Sequence, residues 1–319
     1  MSTTAHPPTE PVRTLADISG EDGIFAIIAM DQRNTLRRMF TAVGIEATDE
    51  DLRQSKADVA RALSPTASGI LFDPTYGVPA VVESGALHES CGLLVASEPA
   101  ERGVYNGEPR THRDPAQDSR WVLDQGGDAN KFFAQLRADR PSSAPGGPDL
   151  VTDCLNAVAQ VVADCRTIGI PSVIENLVYP LPGEDLTGQA FEDAVIEAAR
   201  ALNDSGADLL KLEYPGSAEG CRRLAEVLDR PWAVLSAGVP FDRFTEVLTI
   251  AFDEGGASGF IAGRSVWRES LPLTGADRTA FLQTVALPRL DTLRAVATER
   301  ATPWPAVSRP TAVPVDTLR

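Results

Sequence analysis

Short apolar runs recur along the chain, separated by longer stretches with a helical hydrophobic period. The runs are 24–30 (IFAIIAM), 69–73 (GILFD), 91–97 (CGLLVAS), 129–136 (ANKFFAQL), 171–178 (PSVIENLV), 207–215 (ADLLKLEYP), 231–238 (PWAVLSAG) and 258–265 (SGFIAGRS). Each has strand length and is apolar on both faces, as a parallel strand covered on both sides must be. Residues 49–63 open behind Thr48 as an N-cap. Residues 149–168 set Leu150, Cys154, Leu155, Val158, Val161, Val162 and Cys165 on one face and stop at Gly169. Residues 187–203 repeat that pattern and stop near Gly206, and further helical stretches cover about 218–229, 240–254 and 276–298. Eight strands alternating with helices predict an α/β fold, a single (β/α)8 TIM barrel. An open doubly wound sheet is the rival, but no GxGxxG follows the first run and no GxxxxGK[ST] occurs.

Residues 1–20 and 300–319 are rich in Pro and Thr without an apolar period. They predict an N-terminal arm (1–20) and a Pro-rich C-terminal tail (300–319) around a barrel domain spanning 21–299. The long connections 97–118 and 137–148 follow strands, so in a barrel they lie on its C-terminal face, where loops serve substrates.

Charges embedded in the apolar runs carry the candidate chemistry. At period two, Leu209, Lys211 and Glu213 share one face, with Leu210 and Leu212 on the other. Burying a lysine there requires a compensating carboxylate or a function that wants its pKa lowered; desolvation favours the neutral amine that attacks carbonyls. Lys131 lies in the fourth run, Glu175 in the fifth, and Asp31 directly after the first, so the four groups would converge at one barrel end. A buried ion-pair network is the bland alternative, but such networks are a weak route to stability. In the last two runs, LSAG (235–238) and AGRS (262–265) join glycine and a small polar residue to Arg264. Backbone N–H groups that can approach closely, with one arginine for charge, are what a phosphate site needs; tight turns and a surface arginine are the alternative.

The net charge of −16 argues against nucleic acid as a partner, because no basic footprint is available for phosphates. It also repels a phosphorylated sugar, so any such ligand demands a locally positive pocket. No apolar run approaches the ~20 residues of a membrane span, and MSTTAHPPTEPVRT lacks the apolar core of a secretory signal. Cys91, Cys154, Cys165 and Cys221 are isolated, as buried thiols of a reducing cytoplasm would be. His6, His88 and His112 are too scattered for a histidine-ligated metal, so neither a metal nor another cofactor is expected.

Taken in order, MDQRNTLRRMF (30–40), GILFDPTYGVPA (69–80), DANKFFAQL (128–136), LLKLEYP (209–215), LSAGV (235–239) and GFIAGRSVW (259–267) resemble the class I tagatose 1,6-bisphosphate aldolase family, with the related sulfofructose-phosphate aldolases. The likeness spans about residues 20–270. It implies a metal-independent (β/α)8 aldolase that cleaves a ketose 1,6-bisphosphate, or a related phosphorylated or sulfonated ketose, to dihydroxyacetone phosphate and an aldehyde. It further implies that Lys211 forms the Schiff base and Glu175 shuttles protons. Lys131 would be the second lysine, whose charge keeps Lys211 deprotonated. Asp31 would contact substrate hydroxyls, with Gln32 and Arg33 beside it on the substrate side, while Ser236, Gly238, Gly263 and Arg264 would hold the dihydroxyacetone-phosphate end. Barrels of this kind pair or form tetramers, so a homo-oligomer is allowed. The residues agree with this chemistry, since a protonated imine is an electron sink for retro-aldol cleavage. Loop arginines 102, 110 and 113 are candidates for a distal phosphate or sulfonate, against a reading as solvated charge. Two other functions fit the same barrel: a phosphosugar isomerase or epimerase, which needs no nucleophilic Lys211, and a non-catalytic sugar-phosphate-binding protein.

Overall fold

The computed structural model describes residues 12–143 and 146–307. Eight parallel strands close into a barrel: β1 (Phe25–Met30), β2 (Gly69–Phe72), β3 (Gly92–Ala96), β4 (Ala129–Ala134), β5 (Ser172–Asn176), β6 (Leu209–Leu212), β7 (Trp232–Leu235) and β8 (Gly259–Ala262). Every one falls inside an apolar run of the sequence. Each strand pairs with its sequence neighbours, and β8 returns to β1 with Phe25 opposite Gly259. That closure needs glycine: a Cβ on Gly259 would stand 2.1 Å from the Phe25 carbonyl oxygen, at a φ of 148°.

The strands are buried along their whole length, and alternate positions divide between two cores. Inside the barrel lie Phe25, Ile27, Ala29, Leu94, Ala96, Ala129, Val173, Leu209, Ala233 and Ile261. The other faces pack Ile28, Met30, Val95, Phe132, Ile174, Leu210 and Val234 against the helices. A fully buried Leu, Ile or Phe contributes roughly 1.5–3 kcal/mol by leaving water.

The helices begin and end where local chemistry directs. Thr48 caps Asp49–Leu63 in a reciprocal capping box with Asp51. Asp149 caps Leu150–Ile168, which stops at left-handed Gly169. Gly188–Asn203, Ala218–Val227 and Phe241–Gly255 also follow the sequence period. The stretch expected at 276–298 is three pieces, Gly275–Phe281, a π-helical turn Leu282–Ala286 and Leu287–Arg300. Helices Asn34–Ala42, Gly77–Ser84 and Ser119–Asp124, which the apolar pattern alone does not announce, complete the ring.

Two expectations need correction. The supposed arm carries a 3-10 turn, Leu15–Ile18, whose two apolar side chains plug the bottom of the inner core. The supposed tail returns to the same place: Trp304 packs on that cluster and its indole N–H donates to Ser19 Oγ at 3.2 Å. Residues 1–11 and 308–319 of the expected arm and tail lie outside the described residues. The 97–118 connection is also more ordered than a loop. Gly103–Tyr105 and Glu108–Arg110 pair antiparallel across a two-residue turn, with Asn106 at φ 50° and Gly107 at φ 85°.

Candidate active site

Following each inward row toward the strands' C-terminal ends, alanine and aliphatic side chains give way to charge. Ala129 is followed by Lys131 and Phe133, Val173 by Glu175, Leu209 by Lys211, and past the ends of β1 and β3 come Asp31 and Glu98. Register places Phe133, Glu175 and Lys211 beside one another across β4, β5 and β6. All four catalytic candidates therefore meet at one end of the barrel.

Their geometry is an ion-pair chain with Glu175 at its centre. One carboxylate oxygen, Oε1, lies 2.8 Å from Lys211 Nζ, and the other, Oε2, lies 2.7 Å from Lys131 Nζ. Lys131 also donates to Asp31 Oδ2 at 2.9 Å and to Glu98 Oε1 at 2.8 Å. Both lysines are buried, Lys131 1% and Lys211 4% exposed. Burial pulls the Lys131 ammonium down, but Asp31, Glu175 and Glu98 together push it up further, so it stands above the ordinary lysine value and keeps its proton. Asp31 is the converse: burial raises it, and the Lys131 and Lys211 ammoniums outweigh burial, holding it well below the usual carboxylate range. Glu175 is likewise lowered, with both lysines overcoming burial and the repulsion of Asp31.

This arrangement changes the role expected of Lys131. Its charge is met by three carboxylates and Glu175 stands between it and Lys211, so its cation is largely neutralised before it can act on Lys211. Glu98, the third of those carboxylates, was not among the candidates. Its second oxygen accepts from the Phe133 N–H at 3.2 Å, which fixes it against the strand that carries Lys131.

A further buried lysine, also absent from the candidates, supports Asp31 from behind. Lys56, in the helix Asp49–Leu63, is fully enclosed and pairs with Asp73 Oδ2 at 2.8 Å. It also donates to the carbonyls of Met30 and, at 3.0 Å, of Gln32, the residues on either side of Asp31. Asp73 in turn accepts the N–H groups of Thr75, Tyr76 and Gly77. Burial outweighs Asp73 and lowers the Lys56 pKa.

Above the ion pairs opens a cavity of 460 Å³ whose lining includes Asp31, Gln32, Arg33, Arg38, Glu98, Arg102, Lys131, Glu175 and Arg264. Four arginines and a lysine thus face three carboxylates in a chain of net charge −16. This is the locally positive pocket that an anionic ligand requires. The Gln32 side-chain N–H donates to Asp31 Oδ1 at 3.1 Å, and its side-chain oxygen Oε1 is buried without a partner among the described residues. Arg33 donates to the Glu98 carbonyl at 3.0 Å. Behind Arg264, the segment after β7 turns sharply through Ala237 at φ 48° and Gly238 at φ 81°. A Cβ on Gly238 would reach to 3.0 Å from the Arg264 guanidinium carbon, so glycine leaves room for that side chain. Ser236 Oγ accepts from the Gly263 N–H at 3.4 Å, tying β7 to β8 at the same point.

Of the loop arginines only Arg102 reaches the cavity. Arg110 pairs with Asp153 at 2.8 Å and Arg113 with Asp164 at 2.7 Å, both on the helix Leu150–Ile168, so these two fasten the loop. Among the described residues no three His, Cys, Asp or Glu side chains are grouped as a metal site would need. None of their helices is long and apolar enough to cross a membrane.

The chain is similar over most of its length to known aldolases. It is 28% identical to tagatose 1,6-diphosphate aldolase 2 of Streptococcus pyogenes serotype M3, covering 93% of this chain and 97% of that protein. Identity to tagatose 1,6-diphosphate aldolase of Lactococcus lactis is 27%, covering 92% and 96%. In fold it is similar to the crystal structure of an archaeal fructose 1,6-bisphosphate aldolase, with a TM-score of 0.61, 18% identity, and 90% of this chain and 100% of that one covered. The model of the DeoC/LacD family aldolases matches residues 25–269, from the first residue of β1 to just beyond β8. On that match the chain belongs to the DeoC/LacD family of aldolases, and is a carbon–carbon lyase.

Proposed function

We propose that this aldolase works through a Schiff base on Lys211 and cleaves a ketose 1,6-bisphosphate, or a related phosphorylated or sulfonated ketose, to dihydroxyacetone phosphate and an aldehyde. The observation that carries this reading is Lys211 itself. It sits on an inner barrel strand beside Glu175, which lines the cationic cavity, and Glu175 at 2.8 Å is the single partner of its amine among the described residues. The relatives named for tagatose 1,6-diphosphate point to the same substrate class.

Passing one proton from Lys211 to Glu175 leaves a neutral amine that can attack the ketose carbonyl carbon. Glu175 then returns a proton to the carbinolamine oxygen, water departs, and a protonated imine remains. Removal of the C4 hydroxyl proton by Asp31 or Glu175 breaks the C3–C4 bond. The bonding electrons flow into the imine to give an enamine, and the aldehyde is released. Protonation of the enamine at C3 and hydrolysis of the imine free dihydroxyacetone phosphate and restore Lys211. Lys131, held protonated by three carboxylates, orients Asp31 and Glu175 for these transfers. Arg264, with Ser236, Gly238 and Gly263 behind it, takes the dihydroxyacetone-phosphate end, and Gln32 offers its unpartnered side-chain Oε1 to a sugar hydroxyl. The enzyme acts in the cytoplasm, where its four buried, unpaired cysteines remain reduced.

Replacing Lys211 tests this assignment. Lys211→Ala is expected to abolish cleavage while circular dichroism shows an intact barrel; turnover that survives the substitution would contradict the Schiff base.

A further inference from the structure

Strand β1 ends at Met30, opposite Phe72 of β2, and the next three residues, Asp31, Gln32 and Arg33, all line the cavity. Beyond Met30 no strand ladder fixes this segment, so its backbone needs another anchor. That anchor is Lys56, which reaches up from the helix Asp49–Leu63. Its amine donates to the carbonyls of Met30 and Gln32, one on each side of Asp31, and pairs with Asp73 Oδ2 at 2.8 Å. Asp73 directly follows β2 and accepts the N–H groups of Thr75, Tyr76 and Gly77, where the next helix begins. One buried cation thus joins the ends of two strands to a helix.

Stability is a poor reason for this arrangement. Lys56 and Asp73 are both fully buried, and a buried ion pair gains little over an apolar pair of similar volume. A methionine at position 56 would have the Phe72 ring to pack on, since Nζ already lies 5.9 Å from its centroid. Position is the better reason. The Asp31 carboxylate is held from the cavity side by Lys131 at 2.9 Å on Oδ2 and by the Gln32 side chain at 3.1 Å on Oδ1. Neither contact fixes the backbone from which that carboxylate springs, and Lys56 does. A base that takes a hydroxyl proton must stand within hydrogen-bond reach of it, and a misplacement of about 1 Å can cost about 10²-fold in rate.

We propose that Lys56, neutralised by Asp73, is a positioning residue for cleavage: by clamping the carbonyls on either side of Asp31 it holds that carboxylate where it takes the C4 hydroxyl proton. This rests on the aldolase reading and adds a division of labour to it. Asp31 takes the proton whose loss breaks the C3–C4 bond, and Glu175 serves the imine on Lys211. Lys56 itself touches no substrate and acts only through Asp31.

The test separates cleavage from imine formation in the full-length chain. Lys56→Met alone strands the buried Asp73 carboxylate, so the decisive variant is Lys56→Met/Asp73→Asn, whose amide oxygen can still accept the Thr75 and Tyr76 N–H groups. Lys56→Gln, which keeps two donors, is the milder second variant, and circular dichroism checks that each is folded. Two rates are measured: single-turnover cleavage of a saturating ketohexose 1,6-bisphosphate, and borohydride trapping of dihydroxyacetone phosphate on Lys211. The trapped ligand has no C4 hydroxyl, so its rate is blind to the base that acts there. The double variant is expected to cleave about 10- to 100-fold more slowly and to trap within about threefold of the wild-type rate, with Lys56→Gln between. Asp31→Asn should lose most of its own effect when added to the double variant, because the two act as one unit. Unchanged cleavage in the folded variants would overturn the proposal. So would cleavage and trapping that fall in parallel, or an Asp31→Asn effect that adds in full. If the wild-type chain itself traps nothing on Lys211, the Schiff-base reading fails, while the coupling of Lys56 to Asp31 in the cleavage rate still decides the clamp.

Discussion

Lys56 and Lys211 are both buried lysines paired with a carboxylate at 2.8 Å, yet their surroundings assign them opposite roles. Lys56 is fully enclosed and its three N–H donors have three acceptors, Asp73 and the carbonyls of Met30 and Gln32. Nothing about it is left to satisfy. Lys211 lies beside Glu175, a residue of the cavity lining, and among the described residues only Glu175 meets its amine. Burial lowers the pKa of Lys56, a lysine with no free donor, so a depressed pKa does not by itself mark a reactive amine. Reach and unspent hydrogen-bonding capacity distinguish the reactive amine from the structural one. Lys131 belongs with Lys56 in this respect, since three carboxylates saturate it.

This contrast predicts where each substitution registers. Glu175→Gln removes the proton carrier beside Lys211 and is expected to slow turnover roughly 10²–10⁴-fold. Steady-state kinetics would check this, and a loss below tenfold would move the proton transfers to Asp31. Lys56→Met leaves Asp73 buried without its partner and should cost about 3–5 kcal/mol of stability by denaturant unfolding. The Lys211→Ala variant should lose far less stability, because Glu175 retains Lys131. Equal losses at the two sites would break the comparison.

The smallest effect concerns Glu213, which lies on the same face of the chain as Lys211 and accepts the Val178 N–H at 2.8 Å. Burial, with a further contribution from Glu175, pushes its carboxyl up from 4.5 to about 7. A carboxyl raised on folding supports stability fully below its unfolded pKa, and that support is lost as pH rises through the folded value. Glu213→Gln should therefore raise Tm more at pH 8 than at pH 5. A shift equal at the two pH values would contradict the assignment.

Much of this is legible in the amino-acid sequence itself. Asp31, Lys131, Glu175 and Lys211 stand out because strands buried on both faces leave a charge no solvent to reach, and period two places them inside. Glu98 is harder to see, since it follows its run in a polar stretch, SEPAERG, where a glutamate is unremarkable. Lys56 did leave a signal: it lies four residues after Leu52 and three before Val59, on the buried face of its helix. The hairpin was also readable, because Asn106-Gly107 favours a two-residue turn. What could not be read is which loop arginine is free. That depends on Asp153 and Asp164 lying across from Arg110 and Arg113, a matter of tertiary placement.

The most direct test of the central claim is chemical capture of the imine. The protein is incubated with dihydroxyacetone phosphate, reduced with borohydride, digested, and the adduct located by mass spectrometry. The account predicts one modified lysine, Lys211, with Lys56 and Lys131 unmodified. An adduct on another lysine, or none on a folded protein shown to bind the ligand, would contradict it.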